Sequence, residues 1–435
     1  MVLFVIGVLA EYRVYAGQTD NENYSSEDYL NSIKITFLSW FSGSTRLSYE
    51  RAFPHVFKNV VKCMENLSRI VFLDWLRAIA CFMVILVHCI EPFYYGGPEG
   101  LYIASLSDAL WITLLNTPLR AAVPLFVMAS SYLLVPVRSN LRTFFAKRIV
   151  RVFIPFLVWS LLYAVFPIPG SGGSVDVFAN LKSLLFNFVM TSSGHMWFIY
   201  MLIGVYLLMP MISPWLEKIS RKEEKAFLWL WAFTTILPLL QPLAQKVTGS
   251  AYLWGECHWN TFGTFYYVSG FIGYVVLGHY MRVHASELSW KKILSYAVPF
   301  WIAGYAISAW GFWNMIPDGG GYPISSSYAA AFRMEAQRGF CTVGIMLQTV
   351  AYFLVIRKIT YAGWFYRRIV LSISRLSYGM YLMHMFVLVP VFAWVQSWET
   401  STPLVMIISA VLTYILCAVV ARMIAFLPKN KYLIG

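Results

Sequence analysis

The sequence predicts an all-α protein, a polytopic integral membrane bundle of about ten transmembrane helices. Hydrophobic residues make up 59% of the 435 residues and charged residues only 12%, with a mean hydropathy of +0.63. This composition is too apolar for a soluble globular domain. Ten apolar runs have the length of about 17 to 25 residues that crosses a bilayer. They lie near 70–92, 112–136, 150–168, 196–214, 226–244, 262–281, 293–313, 339–357, 376–397 and 403–425.

The distribution of basic residues predicts the orientation of these spans. A formal net charge of +13 would indicate nucleic acid in a soluble protein, but here Lys and Arg form short clusters between apolar runs. If the first span starts in the cytoplasm, most of them fall in inner loops, as the positive-inside rule requires. We therefore expect both termini in the cytoplasm, a lipid bilayer as partner and no nucleic acid. The basic residues left in the outer segments are Arg120, Lys182, Lys246, Arg333 and Arg338.

The N-terminal region does not follow this pattern. Residues 1–10 are apolar but too few to span a membrane, and no basic cluster precedes them as in a signal peptide. Residues 11–63 are mixed and polar, and Met64 stands just before the first span. We treat 1–63 as a poorly defined N-terminal extension, consistent with a misassigned start, and 64–435 as one membrane domain.

The first span carries three ionisable residues, Asp74, Arg77 and His88. Each such group at membrane depth costs roughly 2.5 to 3.5 kcal/mol, so they usually face a protein interior or a watery cavity and mark function. The eleven residues from Arg77 to His88 make about three helical turns, which places both side chains on one face. At about 1.5 Å per residue they lie roughly 16 Å apart along the axis.

Further polar residues are predicted in other spans. Arg120 in the second span and His195, which opens the fourth, lie at outer ends like His88, and His384 lies about two turns inside the ninth. A cluster of imidazoles and an arginine at the outer side, with Arg77 and basic loops at the inner side, indicates a site that is reached from both sides of the membrane.

Each of these residues also has a structural interpretation. His88 could be a buried imidazole bonded to a neighbouring helix, and Asp74 with Arg77 could be a simple i,i+3 pair. Glu91, one turn after His88, could orient its imidazole or be an ordinary charge of the outer loop. His195 and His384 could likewise be structural, so the pattern alone leaves these alternatives open.

Several motifs are spread over nearly the whole predicted membrane domain. They are the Arg with ten intervening residues before His at 77–88, the Leu-Asp-Trp-Leu-Arg at 73–77, and the blocks 123–134, 195–200 and 377–384. In these motifs the chain from about 69 to 425 resembles acyltransferase family 3, the bacterial integral membrane O-acyltransferases. Within the family it looks closest to enterobacterial common antigen O-acetyltransferase-like proteins.

The resemblance implies an enzyme in the bacterial cytoplasmic (inner) membrane. Acetyl-CoA would be the cytoplasmic acyl donor, and the acceptor a hydroxyl of a cell-surface polysaccharide or its lipid-linked precursor. No permanently bound cofactor and no metal are implied. The reaction needs a base that works near pH 7, which suits histidine, and a positive group for the donor phosphates or the oxyanion.

These needs assign roles to the candidate residues. His88 would be the general base or the transient acyl carrier, assisted by Arg77 and Glu91. The other candidate residues would bind the donor or the acceptor. Arg77, Arg148 and Arg151 would bind the donor, and Arg120, His195, Trp197 and His384 would bind the acceptor.

A transporter or flippase of a glycan or lipid intermediate is the alternative. Such a protein would also place charges along one helix face, but we would expect repeat symmetry and broken helices at mid-depth. The Gly and Pro breaks of this chain lie mainly in loops.

Overall fold

The computed structural model describes residues 70–97, 99–168, 175–187, 191–250, 252–253, 265–285, 288–317 and 321–435. The predicted N-terminal extension, 1–63, lies outside these residues. Within them, Val71–Gly435 forms one compact unit.

This unit is a helical bundle with very little sheet. Its first half contains α1 Val71–Ile90, β1 Tyr95–Gly97, β2 Gly100–Ile103, α2 Leu106–Asn116, α3 Ala122–Leu134, α4 Leu141–Arg148, α5 Ile154–Val165, α6 Val177–Asn187 and α7 Trp197–Lys218. Its second half contains α8 Arg221–Thr234, α9 Leu237–Thr248, α10 Ile272–Val283, α11 Trp290–Asn314, β3 Ile324–Ser327, α12 Tyr328–Ala336, α13 Val343–Ile356, α14 Leu371–Gln396 and α15 Thr402–Ile424. The predicted all-α membrane bundle is confirmed.

The predicted number of spans is not fully matched. Eight helical segments of the described chain are long and apolar enough to cross a membrane. At the predicted sixth and eighth positions the structure has α10, with 12 residues, and α13, with 14, both shorter than the roughly 17 residues that a span takes. Both helices are rich in buried residues, which explains why their apolar sequences look like membrane spans.

Helix α1 lies at the centre of the bundle. It packs against α3, α14 and α15, and 67% of its most apolar stretch is buried. By contrast, only 22% of the corresponding stretch of α11 is buried, as expected of a helix that faces lipid. The polar residues of α1 are therefore directed into protein, the arrangement that membrane-embedded charges require.

Two π-helical turns shape the end of the bundle that the charge pattern assigns to the cytoplasm. One spans Ile149–Phe153 between α4 and α5, and the other spans Tyr366–Val370 before α14. Such turns shift the register of the side chains and often occur at functional sites. The first turn carries Arg151, which lines the cavity described below, and the second carries Tyr366, which donates a hydrogen bond to Asp74.

The opposite end of the bundle, called the outer end below because the charge pattern assigns it to the outer side, carries a small antiparallel sheet. Strands β1, β2 and β3 pair in that order, and β3 leads directly into α12. The side-chain oxygen of Ser327 accepts a hydrogen bond from the backbone N–H of Ala330 and caps the start of α12. This cap marks the start of α12, which packs beside β2.

Candidate active site

A cavity of about 330 Å³ follows one face of α1. Its wall includes Arg77 towards one end of the helix and His88 and Glu91 at the other. Val84 and Val87 line the stretch in between. The predicted shared face of Arg77 and His88 is thus confirmed, because both side chains border the same space.

Arginine residues surround the end of the cavity near Arg77. Arg151 contributes from the π-helical turn and Arg375 from α14, and Ser374 and Tyr378 of α14 complete the wall. Among the side chains that line the cavity, the only carboxylate is that of Glu91, at the far end from Arg77. The Arg77 end of the cavity is therefore suited to an anionic ligand.

Asp74 lies beneath this basic end and is buried. One carboxylate oxygen accepts a hydrogen bond of 2.7 Å from the Tyr366 hydroxyl, and the other accepts one of 2.5 Å from the Ser374 hydroxyl. These bonds fix the start of α14, and with it Arg375, against α1. Sequence inspection paired Asp74 only with Arg77, because nothing in the pattern shows that the chain returns to this position nearly three hundred residues later.

Arg148 lies beside the cavity wall and is not among its lining residues. Its guanidinium carbon is 5.0 Å from the ring centroid of Phe144 and 5.4 Å from that of Tyr206, and Tyr206 itself lines the cavity. Of the two inner-loop arginines predicted to bind the donor, only Arg151 borders the cavity.

Three imidazoles meet at the outer end of the cavity. The ring centroids are 5.1 Å apart for His88 and His384, 4.9 Å for His195 and His384, and 6.3 Å for His88 and His195. The sequence predicted His88 and His195 at the outer ends of their spans and His384 about two turns inside the ninth, and the structure brings the three rings together. His88 and His195 line the cavity, whereas His384 is fully buried behind them.

Hydrogen bonds define the orientation of these rings. His88 Nδ1 lies 2.6 Å from Glu91 Oε2, and since an ionised carboxylate can only accept, we assign the Nδ1 proton to His88. His384 Nδ1 donates in the same way to the backbone carbonyl of Tyr381. The Tyr381 hydroxyl donates to the backbone carbonyl of His195 and holds the short 3₁₀ helix that carries it.

The Nε2 atoms of His195 and His384 are buried, and no described residue forms a hydrogen bond with either. Buried polar groups are normally paired, so these two atoms are candidates for a ligand or water in the cavity region. Trp197 also lines the cavity, with its indole stacked at 5.0 Å on Phe340. Sequence analysis missed Phe340, which comes from the outer segment after α12.

Arg120 completes the outer end of the cavity. Its Nε donates to Asn116 Oδ1 at 2.8 Å, its Nη2 donates to the Tyr94 hydroxyl at 3.0 Å, and it forms an ion pair with Glu335. Glu335 in turn pairs with Arg338 Nη2 at 2.7 Å. Neither Glu335 nor Arg338 was a candidate from the sequence, because both lie between two predicted spans with ordinary charge spacing.

A family model for an acyltransferase domain matches residues 70–422, which include all the candidate residues. The chain belongs to acyltransferase family 3. A search of curated proteins and a search of solved structures each gave no significant match. Family membership establishes a membrane acyltransferase.

Membership in an acyltransferase family indicates what the cavity has to bind. An acyltransferase must hold an acyl donor, an acceptor and a group that accepts a proton within one enclosed space. The cavity along α1 brings a basic end and an imidazole cluster into one continuous wall, so we take it as the candidate active site of this family member.

Proposed function

We propose that the protein transfers an acetyl group from cytoplasmic acetyl-CoA to a hydroxyl of a cell-surface polysaccharide or its lipid-linked precursor. We place it in the bacterial cytoplasmic (inner) membrane with both termini in the cytoplasm. The observation that carries the proposal is the single cavity lined by both Arg77 and His88.

The basic end of the cavity would bind the donor. Coenzyme A carries several phosphate charges, and the planar guanidinium groups of Arg77, Arg151 and Arg375 can each form paired hydrogen bonds with phosphate oxygens. The apolar middle of the wall, with Val84 and Val87, accommodates an uncharged thioester arm. The reactive carbonyl would then lie near His88, and Arg148 would contribute only indirectly, through the Tyr206 wall.

His88 would act as general base. With its Nδ1 proton donated to Glu91, the Nε2 lone pair takes the proton of the acceptor hydroxyl while the hydroxyl oxygen attacks the thioester carbonyl. A carbon–oxygen bond forms, the carbon–sulfur bond breaks, and the leaving thiolate takes the proton from the imidazolium. Glu91 stabilises the transient positive charge of His88, as a carboxylate partner does in other acyl transfer sites.

A two-step route uses the same residues. His88 Nε2 could attack the thioester itself and carry the acetyl group to the acceptor. Release of coenzyme A in the absence of acceptor, in one burst per enzyme, would distinguish this route from direct transfer.

The acceptor would enter at the outer end of the cavity. Arg120 and Glu335 neutralise each other there, which suits an uncharged sugar hydroxyl better than an anion. His195 would donate or accept a hydrogen bond, His384 would support it from behind, and Trp197 offers an aromatic face for the sugar ring. The likeness of the sequence motifs to enterobacterial common antigen O-acetyltransferase-like proteins supports a glycan acceptor.

A transporter or flippase is the competing function. It would need the cavity for passage but no acyl donor, so the two functions differ in whether an acyl group is transferred. Membranes with and without the protein are incubated with labelled acetyl-CoA, and label is measured in the glycan and lipid-linked glycan fractions. We expect label in these fractions only when the protein is present. Addition of unlabelled acetyl-CoA should reduce the amount of label. Labelling that is equal in the two membranes, with the folded protein present, would contradict the proposal.

A further inference from the structure

We infer that Glu335 is a positioning residue that holds Arg120 in place at the acceptor end of the cavity. This inference rests on the proposed function and extends it to the outer segment of the chain. Glu335 does not line the cavity and would act only through Arg120, which does.

The contacts of Arg120 leave one corner of its guanidinium for a ligand. Nε bonds to Asn116, and Nη2 bonds to the Tyr94 hydroxyl and pairs with Glu335. Among the residues that the structure describes, none forms a hydrogen bond with Nη1. Since Arg120 is 93% buried and borders the cavity, its remaining exposed edge faces the space that the acceptor would fill.

Glu335 is itself held from two further directions. The Tyr94 hydroxyl donates to its Oε1 at 2.7 Å, and Arg338 Nη2 donates to the same oxygen at 2.7 Å. Arg338 is fully buried, with its guanidinium carbon 3.4 Å from the ring centroid of Phe312 on α11. Glu335 is thus a fixed anchor, because each of its partners is packed in turn.

The charge of Glu335 is maintained despite its position. Burial on its own would raise the pKa of the carboxyl group, but Arg120 and Arg338, together with the hydrogen bond from Tyr94, hold the pKa below its usual value. Glu335 is therefore ionised at neutral pH and supplies the negative charge between two buried guanidinium groups. Without it, these two like charges would face each other and Arg120 would lose its place.

The position of Glu335 in the fold connects this contact with the acceptor end of the cavity. Glu335 lies on α12, which follows β3 and packs beside β2, and we call β1–β3 and α12 together the outer cap. Arg120, by contrast, lies just before α3. The outer cap therefore determines the geometry of the acceptor end. The donor end is built from α1, α14 and the π-helical turn Ile149–Phe153. Loss of Glu335 should affect the acceptor and leave the donor unaffected.

The test compares Glu335→Gln and Glu335→Asp with the wild type, using Asp108→Asn as control. Asp108 is also a buried outer carboxylate, but it bonds to the Ser105 and Thr402 hydroxyls and is not part of the cavity wall. We expect Glu335→Gln to raise the acceptor KM about 10- to 100-fold, the loss of one charge-assisted contact, with the donor KM unchanged. Glu335→Asp should recover part of the loss, and Asp108→Asn should change either KM by less than about twofold.

A double variant distinguishes action through Arg120 from a separate effect. If Glu335 acts only through Arg120, then Arg120→Gln combined with Glu335→Gln should be no worse than Arg120→Gln alone. The inference would be overturned if the acceptor KM of the double variant rose by the product of the two single effects. A normal acceptor KM in Glu335→Gln would overturn it as well.

A measurement without turnover separates this inference from the proposed function. An arginine-selective dicarbonyl reagent is applied to the purified protein, and modification of Arg120 is measured by mass spectrometry. Modification should increase in Glu335→Gln and not in Asp108→Asn, and equal modification in both would overturn the positioning role. If the wild type transfers no acetyl group while Arg120 still responds in this way, the proposed function fails and the positioning role is supported.

Discussion

Replacement of Glu91 by Gln tests the assignment of His88 as base. Glu91 Oε2 lies 2.6 Å from His88 Nδ1, and the two side chains are 32% and 14% exposed. Gln can still accept a hydrogen bond from Nδ1, so the ring should keep its orientation. The substitution removes only the negative charge that would face the imidazolium during transfer.

The magnitude follows from the distance and the exposure. Two unit charges 2.6 Å apart attract by about 1.6 kcal/mol in water and by about 6 kcal/mol at an effective dielectric constant of 20. Because Glu91 is about one-third exposed, solvent screens the pair and the value should lie towards the lower end, near 2 to 3 kcal/mol. Since each 1.36 kcal/mol is a factor of ten, kcat should fall about 30- to 150-fold.

The assay measures kcat and both KM values for Glu91→Gln in purified membranes. The donor KM should stay near that of the wild type, because the donor phosphates would bind at the Arg77 end. Asp108→Asn serves as the control for loss of an outer carboxylate. A kcat for Glu91→Gln within about twofold of the wild type would refute the idea that Glu91 stabilises a charged His88.

Three further predictions follow from the cavity and its surroundings. Arg77→Gln should raise the KM for acetyl-CoA about 10- to 100-fold with little change in the acceptor KM, and an unchanged donor KM would remove Arg77 from the donor site. Asp74→Asn should lower the stability of the folded protein by about 1 to 3 kcal/mol, because one carboxylate oxygen that accepts a hydroxyl is replaced by an amide donor. Thermal unfolding in detergent measures this loss, and an unchanged midpoint would contradict it. Trp197→Ala should raise the acceptor KM about 2- to 12-fold, because it removes the aromatic face offered to the sugar ring by an indole held against Phe340, and a KM equal to that of the wild type would show that no sugar packs there.

The parts of the site that lie on a single helix could be predicted from the sequence. Helical periodicity alone places Arg77 and His88 on one face, and the cavity follows that face. For His88, His195 and His384, the sequence predicted only a cluster on the outer side of the membrane and not which rings lie side by side. Their ring distances of 4.9 to 6.3 Å come from the packing of α1, α14 and the start of α7.

The parts that depend on distant contacts could not be predicted. Glu335 and Arg338 look like ordinary loop charges until α12 folds beside Arg120. Arg375 was not a candidate from the sequence, because it is one of many basic residues beside apolar runs, and its place in the cavity wall depends on the bonds of Asp74 to Tyr366 and Ser374. The two short helices α10 and α13 were counted as full spans because hydropathy does not distinguish burial in protein from burial in lipid.

The most direct test of the account is acetyl transfer by His88→Ala. Membranes containing the wild type or His88→Ala, matched for the amount of folded protein, are incubated with radiolabelled acetyl-CoA and the cell's own glycans. The account predicts label in the glycan fraction with the wild type and none above background with His88→Ala, at equal protein levels. Transfer by His88→Ala at a rate near that of the wild type would contradict the central role of this imidazole.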